Sequence, residues 1–370
     1  GLGIQAGSKG PVTLDLANTL VEGALQWKAA SLERIGQMAG TALAGSGNGS
    51  LKLSVLDGKQ AADLTASIAQ LRAGDAAVAS VKLEAAVRDA LSDVPGLRAK
   101  VTAAKVAAGG VELPAVNATA NGTLKALDVK ADLSGTASDG KAIKADLAAK
   151  LALDGETQTI RLTRLDASYD KEKARLAKPL TVTVKGSAVS ANGLELLVPG
   201  GQVVGDAALS GNRLRGKLRI AMKDLGRIAK MAGVPIQAGA LDAQAEFDTQ
   251  RSATLRATLT GLVSDELPPD AGGLNGNISA DWDGKQVNAA ATLEGRFGQP
   301  VTATAGVALR PSAGLLPLPK PSAALRGTVK WSGRIETLWS MVPAPDHYLE
   351  GKADVDLVLG GTVAEPTIAG

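Results

Sequence analysis

The chain has 370 residues, enough by length for two or three domains. A net charge of +3, with acids and bases interleaved, gives no basic footprint for nucleic acid. The absence of cysteine excludes disulfides, thiolate metal sites and a cysteine nucleophile. Hydrophobic residues make up 45% and aromatics only 2%, so the apolar part is Ala, Val and Leu; with 44 Gly and 16 Pro this suits many strands and turns.

Residues 1–22 read as a Gly-rich lead-in followed by a strand carrying Val12, Leu14 and Leu16. A strand, a short helix and a second strand follow: Gly23-Ala-Leu25-Gln-Trp27, then Leu32 to Met38, then Gly49-Ser-Leu51-Lys-Leu53-Ser-Val55. The strands alternate apolar and polar, the period of a sheet with one greasy face. Leu32, Ile35 and Met38 share one helix face. The same unit returns at 216–248 (helix Leu225 to Met231) and at 327–360 (helix Ile335 to Met341).

Turn signals punctuate the rest. Asp57-Gly58, Asp139-Gly140, Asp154-Gly155 and Asp283-Gly284 suit the positive φ angles of two-residue hairpin loops, and Asn121-Gly122 and Asn192-Gly193 are assigned the same work. A smaller repeat recurs: Leu71-Arg-Ala-Gly74 before Val78, Val81 and Leu83; Val106-Ala-Ala-Gly109 before Val111, Leu113 and Val116; Val189-Ser-Ala-Asn-Gly193 before Leu194 and Leu196. It favours one repetitive architecture over several unrelated domains. Residues 83–94 fit a helix as well as a strand. Between 124 and 168 the alternation is clearest, and the slip from Ile160 and Leu162 to Leu165 and Ala167 predicts a β-bulge near Thr163–Arg164. Turns about 15 residues apart imply strands longer than the usual ~5–6, and long strands that bend imply a curved sheet. The segment 311–321, with Pro at 311, 317, 319 and 321, is an irregular connection.

Motifs for chemistry are scarce. The single histidine, His347, sits in a Pro-rich loop with Asp346 and no nucleophile motif, so a solvated loop residue is the favoured reading over half of a catalytic pair. There is no G-x-S-x-G elbow, no phosphate-binding glycine loop and no H-E-x-x-H. Gly1-Leu-Gly3-Ile-Gln-Ala6 matches a dinucleotide fingerprint loosely, but no strand precedes it. No apolar run approaches the ~18 residues of a membrane span. Trp27 and Trp331 occupy matching positions in two of the units; packing against the neighbouring helix is favoured over contact with lipid headgroups. The sequence has no initiator Met and ends at Gly370 inside an apparent motif, so it is expected to be a piece of a longer chain.

The third unit and its tail carry a resemblance. Gly333-Arg-Ile-Glu-Thr-Leu-Trp339-Ser-Met-Val-Pro343, then Leu349-Glu-Gly351-Lys-Ala-Asp-Val-Asp-Leu357, then Leu359-Gly-Gly361-Thr-Val-Ala-Glu-Pro366-Thr-Ile-Ala-Gly370 resembles the late part of the TamB family of the AsmA-like superfamily. The resemblance covers about the last 45 residues in detail and the rest in pattern. It implies a β-taco, a long curved antiparallel sheet folded into an apolar groove. It implies a periplasmic location between two membranes, an inner-membrane anchor outside this sequence, phospholipid moving along the groove, and an outer-membrane barrel partner of the Omp85 type, TamA. No enzyme activity and no cofactor are expected.

The apolar strand faces supply the expected groove lining. They are Leu51, Leu53 and Val55; Leu127, Val129 and Leu133; Ile143, Leu147, Leu151 and Leu153. Further along they are Ile160, Leu162, Val182 and Val184; Leu218 and Ile220; Val355, Leu357 and Leu359. A phospholipid carrier along that groove is the leading expectation. The runner-up is an assembly factor that hands outer-membrane strands to a barrel by edge pairing. A carbohydrate-active β-helix enzyme is a third reading, which the 2% aromatic content argues against.

Overall fold

The computed structural model describes residues 4–38, 40, 42–267, 272–296, 298–312, 314, 316–339 and 349–370. The protein is mainly β, 71% strand, so its helices are punctuation. It divides into two compact units, Gly1–Gly186 and Ser187–Gly370.

The first unit holds β1 (Ile4–Ser8), β2 (Thr13–Asp15), β3 (Leu20–Ala29), α1 (Glu33–Met38) and β4 (Leu43–Leu56). Seven longer strands follow: β5 (Lys59–Ala73), β6 (Ala76–Arg88), β7 (Gly96–Ala108), β8 (Val111–Thr123), β9 (Ala126–Ala137), β10 (Ala142–Asp154) and β11 (Thr157–Tyr169). Each pairs antiparallel with the next in sequence. β12 (Glu172–Leu176) and β13 (Leu180–Lys185) share β11 between them. The ambiguous stretch from Leu83 continues as strand to Arg88, and Leu91 and Val94 fall in the loop beyond it, both exposed.

The second unit repeats the plan with β14 (Ala188–Val198), β15 (Gly201–Ser210), β16 (Arg213–Met222), α2 (Leu225–Ala232), β17 (Ile236–Asp248) and β18 (Ser252–Ser264). It continues with β19 (Leu274–Trp282), β20 (Gln286–Glu294), β21 (Val301–Ala308), β22 (Leu325–Arg334), α3 (Ile335–Trp339), β23 (Lys352–Gly361) and β24 (Pro366–Ala369). All are antiparallel to their sequence neighbours. The three helices stand where the three predicted units put them. α2 is closed at both ends: Asp224 accepts from Gly226 N at its start, and Gly233, in the left-handed conformation, stops it.

Asp57-Gly58 makes its two-residue hairpin, with φ of 52° and 73° between paired Leu56 and Lys59. Two predicted turns are corrected. Asn121 and Gly122 lie inside β8, paired to Asp128 and Leu127, and the chain reverses at Leu124-Lys125. Asn192 and Gly193 form a bulge within β14, where Gly193 N donates to Asp206 Oδ1. An Asn-Gly pair supplies backbone freedom, which a bulge uses as readily as a turn. The lead-in also contains a strand, β1, paired to Leu25–Ala29. The strand read over Val12–Leu16 shrinks to Thr13–Asp15, and Leu14 and Leu16 are exposed. The bulge predicted at Thr163 is present: Ala148 faces Arg164, Ala149 faces Leu162, and Thr163 is left over.

Two copies of the small repeat flank a crease in β5–β8, and the third, Val189 to Gly193, lies at the bulge in β14. Gln70, Ala79, Lys105 and Pro114 stand opposite one another across β5–β8. At that level the inward-facing series shifts by one residue in all four strands, from Ile68 to Leu71, Val81 to Val78, Ala103 to Val106 and Val116 to Leu113. Gln70 and Lys105 both take φ of 51°, and Pro114 has no N–H to lose from the ladder. The flanking strands lack the extra residue, so the mismatch is taken up by bulges opposite Gly45 and Gly135. A Cβ on Gly135 would meet Glu112 O at 2.1 Å, so only glycine fits that close approach.

Candidate functional site

The register of the first unit lines up apolar side chains strand after strand. Leu25 faces Leu51, Leu51 faces Leu64, and the line continues through Ala85, Ala99, Ala120, Val129 and Ala149 to Leu162 and Leu180. A second line runs beside it from Leu53 through Ala62, Val87, Leu97, Gly122 and Leu127 to Leu151, Ile160 and Val182. Leu147 and Leu165 end a third, and Leu133 and Ala145 belong to a fourth. Val55, Ile143, Leu153 and Val184 sit on the same face further toward the strand ends, by the two-residue period. All fourteen lining residues expected in this unit therefore share one face. The first line crosses nine inter-strand steps of ~4.8 Å, about 43 Å.

In the second unit Leu196, Val203, Ile220, Ala243, Ala257 and Ile278 form the corresponding line, which continues through Ala291, Ala303 and Val329 to Leu357. Leu218 and Leu359 belong to its neighbour, and Val355 faces Trp331. The five expected residues of this unit also share one face.

The face is apolar and open. Among the described residues of the first unit, polar side chains enter it only at strand ends, as with Gln60, Gln158 and Glu172. Along the paired stretches most of its residues are half-buried, and Ile278 keeps 52% of its surface exposed. In the first unit the side chains of the lines stay half-buried for the most part among the described residues. The middle of each unit is floored with alanine, at Ala85, Ala99 and Ala120 and at Ala280, Ala289 and Ala305, which leaves depth above the backbone.

Closure occurs at the edges of the face. Trp331 and Leu274, three strands apart and so ~14 Å apart on a flat sheet, belong to one buried cluster with Leu293, Val301, Ile335 and Val355 packed against them. The sheet of the second unit therefore curls toward its apolar face. Trp331 is 4% exposed and shares the cluster with Ile335 of α3, which supports the helix-packing reading of this tryptophan. Trp27 lies over Gly47 and Gly49 of β4, filling the space that side chains there would take. Near β3 the amide of Gln60 stands in for a strand. Its Oε1 accepts from Val21 N at 2.8 Å, and its Nε2 donates to Val21 O, Ser54 O and Ala61 O.

The opposite face is wet and charged. Lys150 pairs with Asp128, Lys217 with Glu246, Arg219 with Asp242 and Arg256 with Asp281, each across one strand step. Such exposed pairs contribute little each, at most about 1 kcal/mol, and set which face is outside. The hydrogen bond from Arg219 holds the Asp242 carboxyl below its usual range, and that from Arg213 does the same for Asp248. Asp139 is pulled down to about 2 by hydrogen bonds from Lys141 and then Tyr169. No cluster of metal-ligating side chains occurs among the described residues, and no helix among them is long and apolar enough to cross a membrane. His347 and Met341 lie outside the described residues.

The expected lining included the large aliphatic residues and missed the alanine floor, because Ala alternates as readily on a wet face. It also missed a cleft of about 440 Å³ in the second unit, between Phe247, Leu255, Trp282 and Val287 on the sheet and Leu309, Leu316 and Pro317. Nothing in the local spacing announces that Leu309, Leu316 and Pro317 stand over the apolar face. No protein-family model, no curated protein and no solved structure matches the chain.

Proposed function

We propose that the apolar face is a conduit for phospholipid acyl chains, and that the protein moves lipid without catalysing a reaction. The observation that carries this reading is the unbroken register of apolar side chains from β3 to β13, left open to solvent. Taking a 16-carbon acyl chain through water costs roughly 12 kcal/mol, at ~0.8 kcal/mol per methylene. A line of half-buried Leu, Val and Ala offsets that cost along its whole ~43 Å, well beyond the ~15 Å of one bilayer leaflet. The charged outer face keeps the sheet wet while the headgroup stays in water. Because every step across the first unit meets similar side chains, no deep well stops a chain from sliding there. The resemblance of residues 333–370 adds a setting: the periplasm, between two membranes, with an Omp85-type barrel as the receiving partner.

Native mass spectrometry of the protein purified from a Gram-negative host is the test. Phospholipid adducts that survive gentle desolvation, and that diminish when Leu127 and Leu151 are both changed to Asp, are the expected result. A protein that carries no lipid from such cells, and takes none up from liposomes, refutes the conduit.

A further inference from the structure

The cleft in the second unit differs from the open face that leads to it. One wall is the sheet: Phe247, Leu255, Ala280, Trp282 and Val287 all belong to the apolar face of β17–β20. The other wall is the segment after β21, from which Leu309, Leu316 and Pro317 face the sheet. That wall is held in place by specific bonds. Trp282 Nε1 donates to Leu309 O at 2.6 Å, and Leu309 N donates to Lys285 O. Asn212 and Gln250, from two neighbouring hairpin turns, both donate to Ser312 O. Trp282 is 6% exposed with its polar atom satisfied, so it serves as a fixed wall. Leu316 lines the cleft yet is 60% exposed, so the cleft lacks something that would cover it.

We infer that this cleft is a discrete acyl-chain site, a resting place for a single chain; the inference rests on the conduit reading above. Water fits poorly there, since a hydrating molecule needs two to four polar partners and the walls are almost wholly apolar. Size points the same way. An engineered apolar cavity of about 150 Å³ holds one benzene, so a volume of 440 Å³ accommodates roughly 18 carbons on the same scale. That is one acyl chain and not two. The cleft also continues a line of the conduit, because Leu255 and Ala280 are members of the row that passes through Leu218 and Ala245. A chain sliding along that row enters the cleft and is enclosed on a second side by Leu316 and Pro317. The open face guides the chain, and the cleft holds it.

The test uses stearic acid spin-labelled near its methyl end, titrated into the intact chain while the tryptophan indole N–H signals are followed by NMR. Trp282 reports the cleft and Trp27 the open face of the first unit. The expected result is broadening of the Trp282 signal at a concentration at least tenfold lower than that needed for Trp27. Ala280→Phe, which fills the cleft from its floor, should abolish that preference while leaving the Trp27 response unchanged. Ala253→Leu is the milder version should the larger side chain disturb folding, and it should weaken the preference at least threefold. Broadening of Trp27 with none at Trp282, or equal broadening of both that Ala280→Phe does not alter, overturns the discrete site and leaves the conduit standing. Broadening at neither tryptophan overturns both.

Discussion

Leu151→Asp distinguishes an open apolar face from a packed core. Leu151 stands in β10 between Leu127 of β9 and Ile160 of β11, half-buried, with Lys150 beside it on the wet face. Fully burying a leucine contributes about 1.5–3 kcal/mol, so losing a half-buried one costs roughly 1 kcal/mol. Asp is also a poor strand former, worth up to about 1 kcal/mol more. Leu151→Ser carries nearly the same losses without the charge, so the difference between the two variants isolates the cost of placing a carboxylate there. On an open face the carboxylate reaches water, and the difference should stay below about 1 kcal/mol. Inside a filled core it would be several kcal/mol, the cost of burying an unpaired ion. Urea unfolding, followed by hydrogen exchange of the β9–β11 amides so that the first unit is read by itself, measures this difference. Lys150→Ser on the other face removes an exposed pair with Asp128 and should change stability by less than about 0.5 kcal/mol. An Asp–Ser difference above about 3 kcal/mol would falsify the open face and with it the conduit.

Trp331→Ala should destabilise the second unit by about 3–5 kcal/mol, because it empties a packed cluster where the apolar face closes on itself; a loss under 1 kcal/mol, read by denaturant unfolding, would show that cluster to be incidental. Gln60→Leu leaves Val21 N–H and C=O without their partners and should cost about 1–3 kcal/mol, seen as faster exchange of the Val21 amide; unchanged exchange there contradicts the strand-mimic role. For Asp139 the folded carboxyl lies at about 2, below its ordinary 3.8. Its contribution is therefore present above pH ~4 and lost as pH falls toward 2. The Tyr169 ring, which donates its hydroxyl to Asp139 and carries Lys141 at 5.2 Å, should change its NMR shift over that window. A Tyr169 signal that is flat from pH 5 to pH 2 disproves the contact.

The face of each strand was legible because a two-residue period allows only two answers, and charge decides which is outside. Leu127, Val129 and Leu133 alternate with Asp128, Lys130 and Asp132, so one glance at β9 separates wet from dry. The bulge at Thr163 was legible for the same reason: a phase slip within a charged alternation has no other cheap explanation. Asn121-Gly122 misled because the pair shows where the backbone is permissive, and the ladder to Asp128 and Leu127 decides whether it turns. The crease left its mark as the three-residue steps from Val78 to Val81 and from Leu113 to Val116, while the Ala-Gly pairs mark hairpin tips, but its meaning lies in the alignment of four strands, which no single segment contains. The cleft beneath Leu316 was beyond reach, since it depends on a bond from Trp282 to a carbonyl 27 residues away.

The crease carries a consequence for how this sequence can change in length. Strands β5–β8 each hold one extra residue at the same level, so they keep step with one another. Deleting Ala79 alone would rotate Ala76 and Val78 to the charged side while Leu71 and Val106, on either side, stayed inward. The same holds for a deletion at Gln70, Lys105 or Pro114. Single-residue deletions at that level are therefore forbidden one at a time. They become tolerable only when all four strands lose the residue together, which would also abolish the bulges at Gly45 and Gly135. Hairpins lengthened at Gly74 or Gly109 lie beyond the fold line and escape the restriction, so variation in length should collect at those tips.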